Sequence, residues 1–447
     1  MRRIVILALL LSACLMSAAW GQQQTGMPRM GKGAIARHRV LKGVPNSSAA
    51  TSNTRISAPT PSVQTLRFYE LGTYSNGTWA QMLDINDWGV AVGLGDTPSG
   101  YDATLDPPRG YTRPLGIPLF GRDAMQWFDL GTFGGESYAM SGVEVDTQCS
   151  GITDTGMIVG LAPTTDDPIT KTEKYVRAFA WTAKSGMIDL GALENRGYHH
   201  SNSIGVNKLG TLIVGWSGAT KDFSAPTTLP VAWTLSAMPQ PGKPVTTWGI
   251  RQLDTKGFEQ FQWWVAMTAN DFSQIIGNAF DDTGAQIAVL WNPLPGGRNW
   301  KAMLLPLPSA HPDYIYPWSV GINEKGEIVG YIYSAHYSSV LAALWQPVDP
   351  HRQRYSITVL STPAGLPENS SSAASINDLG DIVGTSYDVD GNSLPTYWST
   401  KDPSSAQLLD FNGHFGLANK VNNFRMVVGG YWSDTCPQGC AAAVQLR

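Results

Sequence analysis

Charge is scarce in this chain. Lys, Arg, Asp and Glu make up 15% of its 447 residues, against about a quarter in an ordinary soluble domain, and they sum to a formal net charge of −4. Bulk attraction to nucleic acid is excluded as a source of function, so no nucleic-acid partner is expected. Helical periodicity is nearly absent beyond the first twenty residues, and 47 Gly with 29 Pro favour turns over helices. The usual catalytic signatures are missing as well. There is no GxSxG nucleophile elbow, no HExxH metal pair, and no phosphate-cradling glycine loop leading into a helix. Cysteine is down to four, without a partner pair at structural-zinc spacing, so neither a metal nor a cofactor is expected.

The one long apolar run is the first. "MRR" followed by "IVILALLLSACLMSAA" has the basic start and short apolar core of an export signal, and it is too short and wrongly flanked for a membrane span. Residues 1–21 are therefore predicted to be removed near Ala19 to Gly21. A second reading takes "LSAC" as a lipobox, with the signal ending before Cys14 and Cys14 carrying a lipid anchor. Both readings place the mature chain in the periplasm or outside the cell, the second as an outer-membrane lipoprotein, and neither leaves it a transmembrane segment. Residues 22–60 lack the apolar surface that would repay ordering and are predicted to be a disordered tether. The basic residues of its first half, Arg29, Lys32, Arg37, His38, Arg39 and Lys42, suit either a solvated linker or contact with an anionic surface. Cys436 and Cys440 flank "PQG" at a spacing a disulfide can close in an oxidising compartment. Cys149 is left over, either as a free thiol or as a partner for one of that pair.

What the chain has in abundance is one repeated unit. "INDWGVAVG" (85–93) returns as "ITDTGMIVG" (152–160), "VNKLGTLIVG" (206–215), "TANDFSQIIG" (268–277), "INEKGEIVG" (322–330), "INDLGDIVG" (376–384) and "VNNFRMVVG" (421–429). The closing glycines stand 67, 55, 62, 53, 54 and 45 residues apart. Each copy reads as a tight hairpin whose Asn or Asp bonds the turn backbone and whose Gly takes the left-handed position. Ser273 and Arg425 replace that Gly in two copies, which predicts a modest left-handed penalty there. After each of the first six copies comes an apolar segment ending in Trp127, Trp181, Trp233, Trp291, Trp345 or Trp398, and then a Leu-bearing segment such as "FDLG" or "MIDLG". The fixed period of these Trp residues marks them as structural.

Four short strands per unit at this period are the signature of propeller blades. The seventh unit lacks its Leu strand, and "LRFYELG" (66–72) is a spare one ahead of the first unit. The predicted fold is thus all-β, a seven-bladed β-propeller over residues 61–447, closed by the N-terminal strand joining the last blade so that no edge stays open. The segment "FDLGTFGGESYAMSGVEVDTQCSGITDTGMIVG" (128–160), followed by "AFAW" (178–181), resembles the HAF repeat of probable extracellular bacterial repeat proteins. The resemblance runs over roughly 66–444, with departures at 268–277 and 421–429 and an insertion in 93–127. It implies export and a repeat scaffold. It implies no reaction and supplies no catalytic residues.

In such a ring the 1–2 and 3–4 turns share one face, and the longer 2–3 and blade-to-blade loops share the other. Long loops on a rigid scaffold are where ligands usually bind. The predicted ligand-binding residues all fall there: Tyr198, His199, His200, His311, Asp313, Tyr314, Trp318, His336, Tyr337 and His414. Hydroxyl-bonding imidazoles beside aromatic rings suit a polysaccharide or an envelope component. Paired carboxylates for glycoside chemistry could come from Glu136, Asp146, Glu194 and Asp313, but separation in space decides that chemistry. The leading expectation is a secreted or cell-envelope scaffold that binds a polysaccharide, small ligand or protein through this face. The alternative is a carbohydrate-active hydrolase or lyase on the same fold, since propellers host both. Trp263 and Trp264 invite a channel-lining role for one ring, and Asp166 and Asp167 a weak calcium reading.

Overall fold

A computed structural model describes residues 65–98, 111–135, 148–166, 174–219, 227–235, 248–297 and 299–447. The strands group into seven antiparallel sheets of four. The inner strands are Ala80–Ile85, Gln148–Ile152, His200–Val206, Trp263–Ala269, Tyr314–Ile322, Ser371–Ile376 and Phe415–Val421, which define blades 1 to 7 in that order. Each inner strand touches the next all the way round, and Ala80–Ile85 touches Phe415–Val421, so the seven blades close into a β-propeller. The segments expected to be an export signal and a tether, residues 1–21 and 22–60, lie outside the described residues.

Closure comes from the N-terminal strand. Thr65–Gly72 pairs antiparallel with Cys436–Leu446 and gives blade 7 its fourth strand. Phe68 packs edge-on to Tyr431 at 5.6 Å between centroids, and the Tyr431 hydroxyl donates to Glu70 at 2.6 Å. Cys436 and Cys440 are joined by a disulfide within this blade. Cys149 sits in the inner strand of blade 2.

Two glycine positions of the repeat have separate physical reasons. In the turns, Gly89, Gly156, Gly210, Gly326 and Gly380 take φ between 68° and 89°, and Ser273 and Arg425 are held at 60° and 61° in the same place. The closing glycine answers a different need. Every inner strand carries a bulge one residue before the turn motif, for example between Met82 and Asp84 or between Ala373 and Ser375. The bulge drives an inner-strand carbonyl towards the second strand. A Cβ on Gly93, Gly215, Gly277, Gly330, Gly384 or Gly429 would lie 1.8–2.2 Å from that oxygen. Only Gly leaves the room.

The third-strand Trp residues join blades. Trp291, Trp345 and Trp398 are fully buried, and their indole N–H groups donate to Asp254, Pro306 and Ser361 of the preceding blade at 2.7–2.8 Å. Trp181 stacks on Phe128 of blade 1 instead. Trp127 is a correction. The third strand of blade 1 is Thr112–Pro118, inside the segment expected to be loop, and Trp127 follows it, just before the fourth strand Phe128–Asp129. Ile117 takes the Trp place in the register, opposite Ala91. Trp127 still does the joining, donating to the Leu71 carbonyl of blade 7 at 3.2 Å. Trp263 and Trp264 are both buried, in two different blade-to-blade cores, so neither presents an open ring to the channel.

Candidate functional site

Nine of the ten predicted ligand residues lie at the long-loop end of their blades, Trp318 lies within the inner strand of blade 5, and blades separate the set. Tyr198, His199 and His200 enter blade 3. His311, Asp313, Tyr314, Trp318, His336 and Tyr337 belong to blade 5, with all of blade 4 between. His414 enters blade 7, with blade 6 between. Trp318 is core. Tyr314 is buried with its hydroxyl on Ser339 at 2.7 Å, and His311 meets its ring edge-on. Tyr337 stacks on Tyr316 at 4.6 Å and donates to the Gly284 carbonyl of blade 4. Burial raises its pKa, with nearby Tyr316 and Asp281 adding. Asp313 and His336 are exposed. His414 lies against Tyr431 at 5.2 Å. Among the described residues, no three His, Cys, Asp or Glu side chains are grouped to hold a metal ion.

Among the described residues, the junction between blades 2 and 3 carries a connected polar cluster on this face. His199 Nδ1 sits 2.5 Å from Glu194 Oε2, and Arg177 donates to Glu194 Oε1 at 2.6 Å. Tyr175 lies between them, 5.3 Å from the His199 ring and 5.6 Å below the Arg177 guanidinium. His200 meets the same Tyr edge-on, and its Nδ1 accepts from the Val176 amide. Tyr198 turns away and bonds Thr227. Burial opposes ionisation of Glu194, but the bonds and charges of Arg177 and His199 outweigh it and hold the carboxyl below the usual Glu range. An ionised Glu194 accepts from Nδ1–H and so leaves Nε2 of His199 to act as base or acceptor. Glu136 and Asp146 lie outside the described residues, and the second carboxylate at this cluster is Asp189, 3.8 Å from Arg177 Nε on the same guanidinium that holds Glu194. Asp166 pairs with Lys174.

The opposite, short-turn face holds a convergence that turn chemistry had masked. In five of the seven repeats the Asn does two jobs. In blade 1, Asn86 Oδ1 accepts from Val90 within the turn, while its Nδ2 donates to the Thr153 carbonyl of blade 2. Asn422, Asn377, Asn323 and Asn270 repeat the reach, to Asn86, Asn422, Asn377 and Asn323 at 2.8–3.1 Å. An amide supplies donor and acceptor together, which a carboxylate does not. Thr153 and Asn207 break the series, Asn207 bonding Thr211 instead.

The residue after the Asn forms a ring around the channel mouth: Asp87, Asp154, Lys208, Asp271, Glu324, Asp378 and Asn423. Backbone amides bind the next member, as from Asp87 to Asp154, Asn423 to Asp87, Asp378 to Asn423, and Glu324 to Asp378. Lys208 of blade 3 crosses the mouth to Asp378 of blade 6, and Asn423 donates to both Asp87 and Asp378. Five carboxylates therefore share one ammonium. Burial, together with Asp271 and Asp378, pushes Glu324 up to about 7 against the pull of Lys208. Burial also raises Asp154, with Asp87 adding. The aligned column D-D-K-D-E-D-N was visible in the sequence; its convergence was not.

No family model and no curated protein matches the chain. Among solved structures it is similar to a streptogramin B lyase, at 9% identity over 85% of this chain and 98% of that one, with a TM-score of 0.44. It is similar to virginiamycin B lyase from Staphylococcus aureus, at 9% identity over 85% and 99%, with a TM-score of 0.45. An acylaminoacyl peptidase in complex with a chloromethyl ketone matches at 10% identity over 80% of this chain and 51% of its own, with a TM-score of 0.38. At those scores nothing of what these proteins act on carries over to this one.

Proposed function

We propose that this protein is an exported propeller that binds a hydroxylated, carbohydrate-like ligand at the junction between blades 2 and 3. The observation that carries the reading is the cluster of Tyr175, Arg177, Glu194 and His199, which brings an aromatic ring, a fixed cation, a carboxylate and an imidazole together at one blade junction. An apolar sugar face stacks on the Tyr ring by displacing the Lys174 ammonium that lies 5.1 Å over it, while its hydroxyls donate to Glu194 and accept from Arg177. The tight mouth on the other side, with Lys208 across it, favours approach from the long loops. The HAF-like repeat pattern belongs to this proposal as support for export. A catalytic reading is favoured by the His199–Glu194 pair: a carboxylate that fixes Nδ1 leaves Nε2 free to take a proton in an elimination or a hydrolysis.

The test is a polysaccharide panel in which binding and product release are measured on the same samples, with Tyr175→Ala and His199→Ala alongside. Binding lost in Tyr175→Ala, without product in any sample, is the expected result. Product formation that His199→Ala abolishes while binding persists selects the catalytic reading. No binding and no product across neutral and charged glycans ends both.

A further inference from the structure

The third residue of each repeat turn stands outside the acidic mouth, and most of these positions are apolar. Trp88, Leu209, Phe272, Leu379 and Phe424 are 51–72% exposed, and Thr155 and Lys325 complete the circle. Turn tips are ordinarily polar, so five large apolar side chains in seven equivalent places form an uncovered crown. Arg352 already shows what suits it, with its guanidinium 4.6 Å over the Phe272 ring. The fitting occupant is both cationic and apolar.

The chain contains such a segment, and it begins from this face. Thr65 pairs with Leu446, and the Leu446 amide bonds the Arg425 carbonyl in the crown turn of blade 7, whereas Gly72 lies at the other end of the strand opposite Ala441. The residues ahead of Thr65 therefore depart from the short-turn rim. Residues 22–64 carry Arg29, Lys32, Arg37, Arg39, Lys42 and Arg55 with no Asp or Glu, and Met27, Met30, Ile35, Val40, Leu41 and Val44 are interspersed among the first five. A random coil of the length between Lys42 and Thr65 would average about 25–30 Å end to end, and a domain of this size has a radius of gyration of about 21 Å. The basic stretch thus reaches the mouth without being stretched. A face-to-face second copy would set two acidic mouths against each other, which charge disfavours.

We infer that the crown of Trp88, Leu209, Phe272, Leu379 and Phe424 around the acidic mouth is a docking surface for the chain's own basic segment, residues 27–44. Tethering supplies a millimolar effective concentration, so modest contacts suffice. Salt weakens the dock, because its charge component is solvent-facing.

The experiment uses the full mature protein, a mixture of light and heavy isotope forms, and a zero-length carbodiimide that joins Lys to carboxylates. Within-chain products from Lys32 or Lys42 to Asp87, Asp154, Asp271 or Glu324 are expected at low salt and disappear at high salt. The double variant Trp88→Ser/Phe424→Ser, checked by an unchanged melting temperature, is expected to reduce them about tenfold and to speed tryptic cutting after Arg37 and Arg39 by a similar factor. Light–heavy products would assign the surface to a second copy and overturn the inference. So would products spread equally onto Asp313 and Glu194 of the other face. No product, with equal cutting in both forms, would do the same.

Discussion

Lys208 Nζ bonds the Asp378 carboxylate across the channel mouth, from blade 3 to blade 6. It is the one cation among the seven mouth positions, and five of the other six are carboxylates. Replacing it by Met leaves that negative ring uncompensated. The side chain is more than a third exposed, so solvent screening keeps the loss small, about 1 kcal/mol at low salt. In a domain this large that is a fall of about 2 °C in melting temperature. Calorimetry at low and high ionic strength checks it: the difference between wild type and Lys208→Met should shrink as salt rises.

Glu324 gives the mouth a pH response. Burial, with Asp271 and Asp378 adding and Lys208 opposing, raises its pKa from 4.5 to about 7. Between those values the folded protein holds a proton that the unfolded chain has released, so this group's contribution to stability falls as pH rises through the window. Glu324→Gln removes that loss and keeps an acceptor for the Asp271 amide, which Glu324 now binds at 3.0 Å. Urea midpoints should show the variant gaining on wild type from about pH 5 to about pH 8. A constant gap across that range would contradict the assignment.

The two glycine classes should respond differently to Ala. At Gly384 a Cβ would lie 2.1 Å from the Ser372 carbonyl oxygen, and a ladder backbone has little room to move. Gly384→Ala is expected to cost about 3 kcal/mol, the upper end for overpacking. Gly156 has nothing within 4 Å of its Cβ site, only a φ of 80°. Gly156→Ala is expected to cost about 1–2 kcal/mol. Paired denaturation curves decide it, and equal losses would remove the bulge from the explanation.

Blade count and ring closure were legible because a hairpin motif recurring seven times needs no alignment to be seen, and because "LRFYELG" is the one strand left without a unit. Blade 1 was less legible: Ile117 occupies the Trp place, and Trp127 regains the joining role ten residues later, so the sequence cue and the strand parted company. The mouth escaped for a related reason. Asp in a turn is fully explained by its own backbone, and only the closed ring shows that Asp87 and Asn423 also serve their neighbours. The long-loop cluster was half legible. His199 was in view, whereas Tyr175, Arg177 and the bond to Glu194 depend on how two blades meet.

Ser273 and Arg425 occupy the same strained turn position, with φ of 60° and 61°, yet should answer differently to Gly. Ser273 is linked to its surroundings there by backbone bonds, its amide to Asn270 and its carbonyl to the Trp300 indole, both of which Gly retains. Ser273→Gly relieves a left-handed side chain and is expected to stabilise by up to about 1 kcal/mol, less the entropy Gly regains when unfolded. Arg425 holds Asp381 through Nε and Nη2 at 3.1 and 3.0 Å and reaches the Tyr397 hydroxyl. Asp381 is buried, and Tyr397 also donates to it. Arg425→Gly removes the strain but strands a buried carboxylate, a loss of about 3 kcal/mol or more. Opposite signs in the two melting shifts are the expected outcome. A gain in both would mean that the Asp381 pair contributes little to holding blades 6 and 7 together.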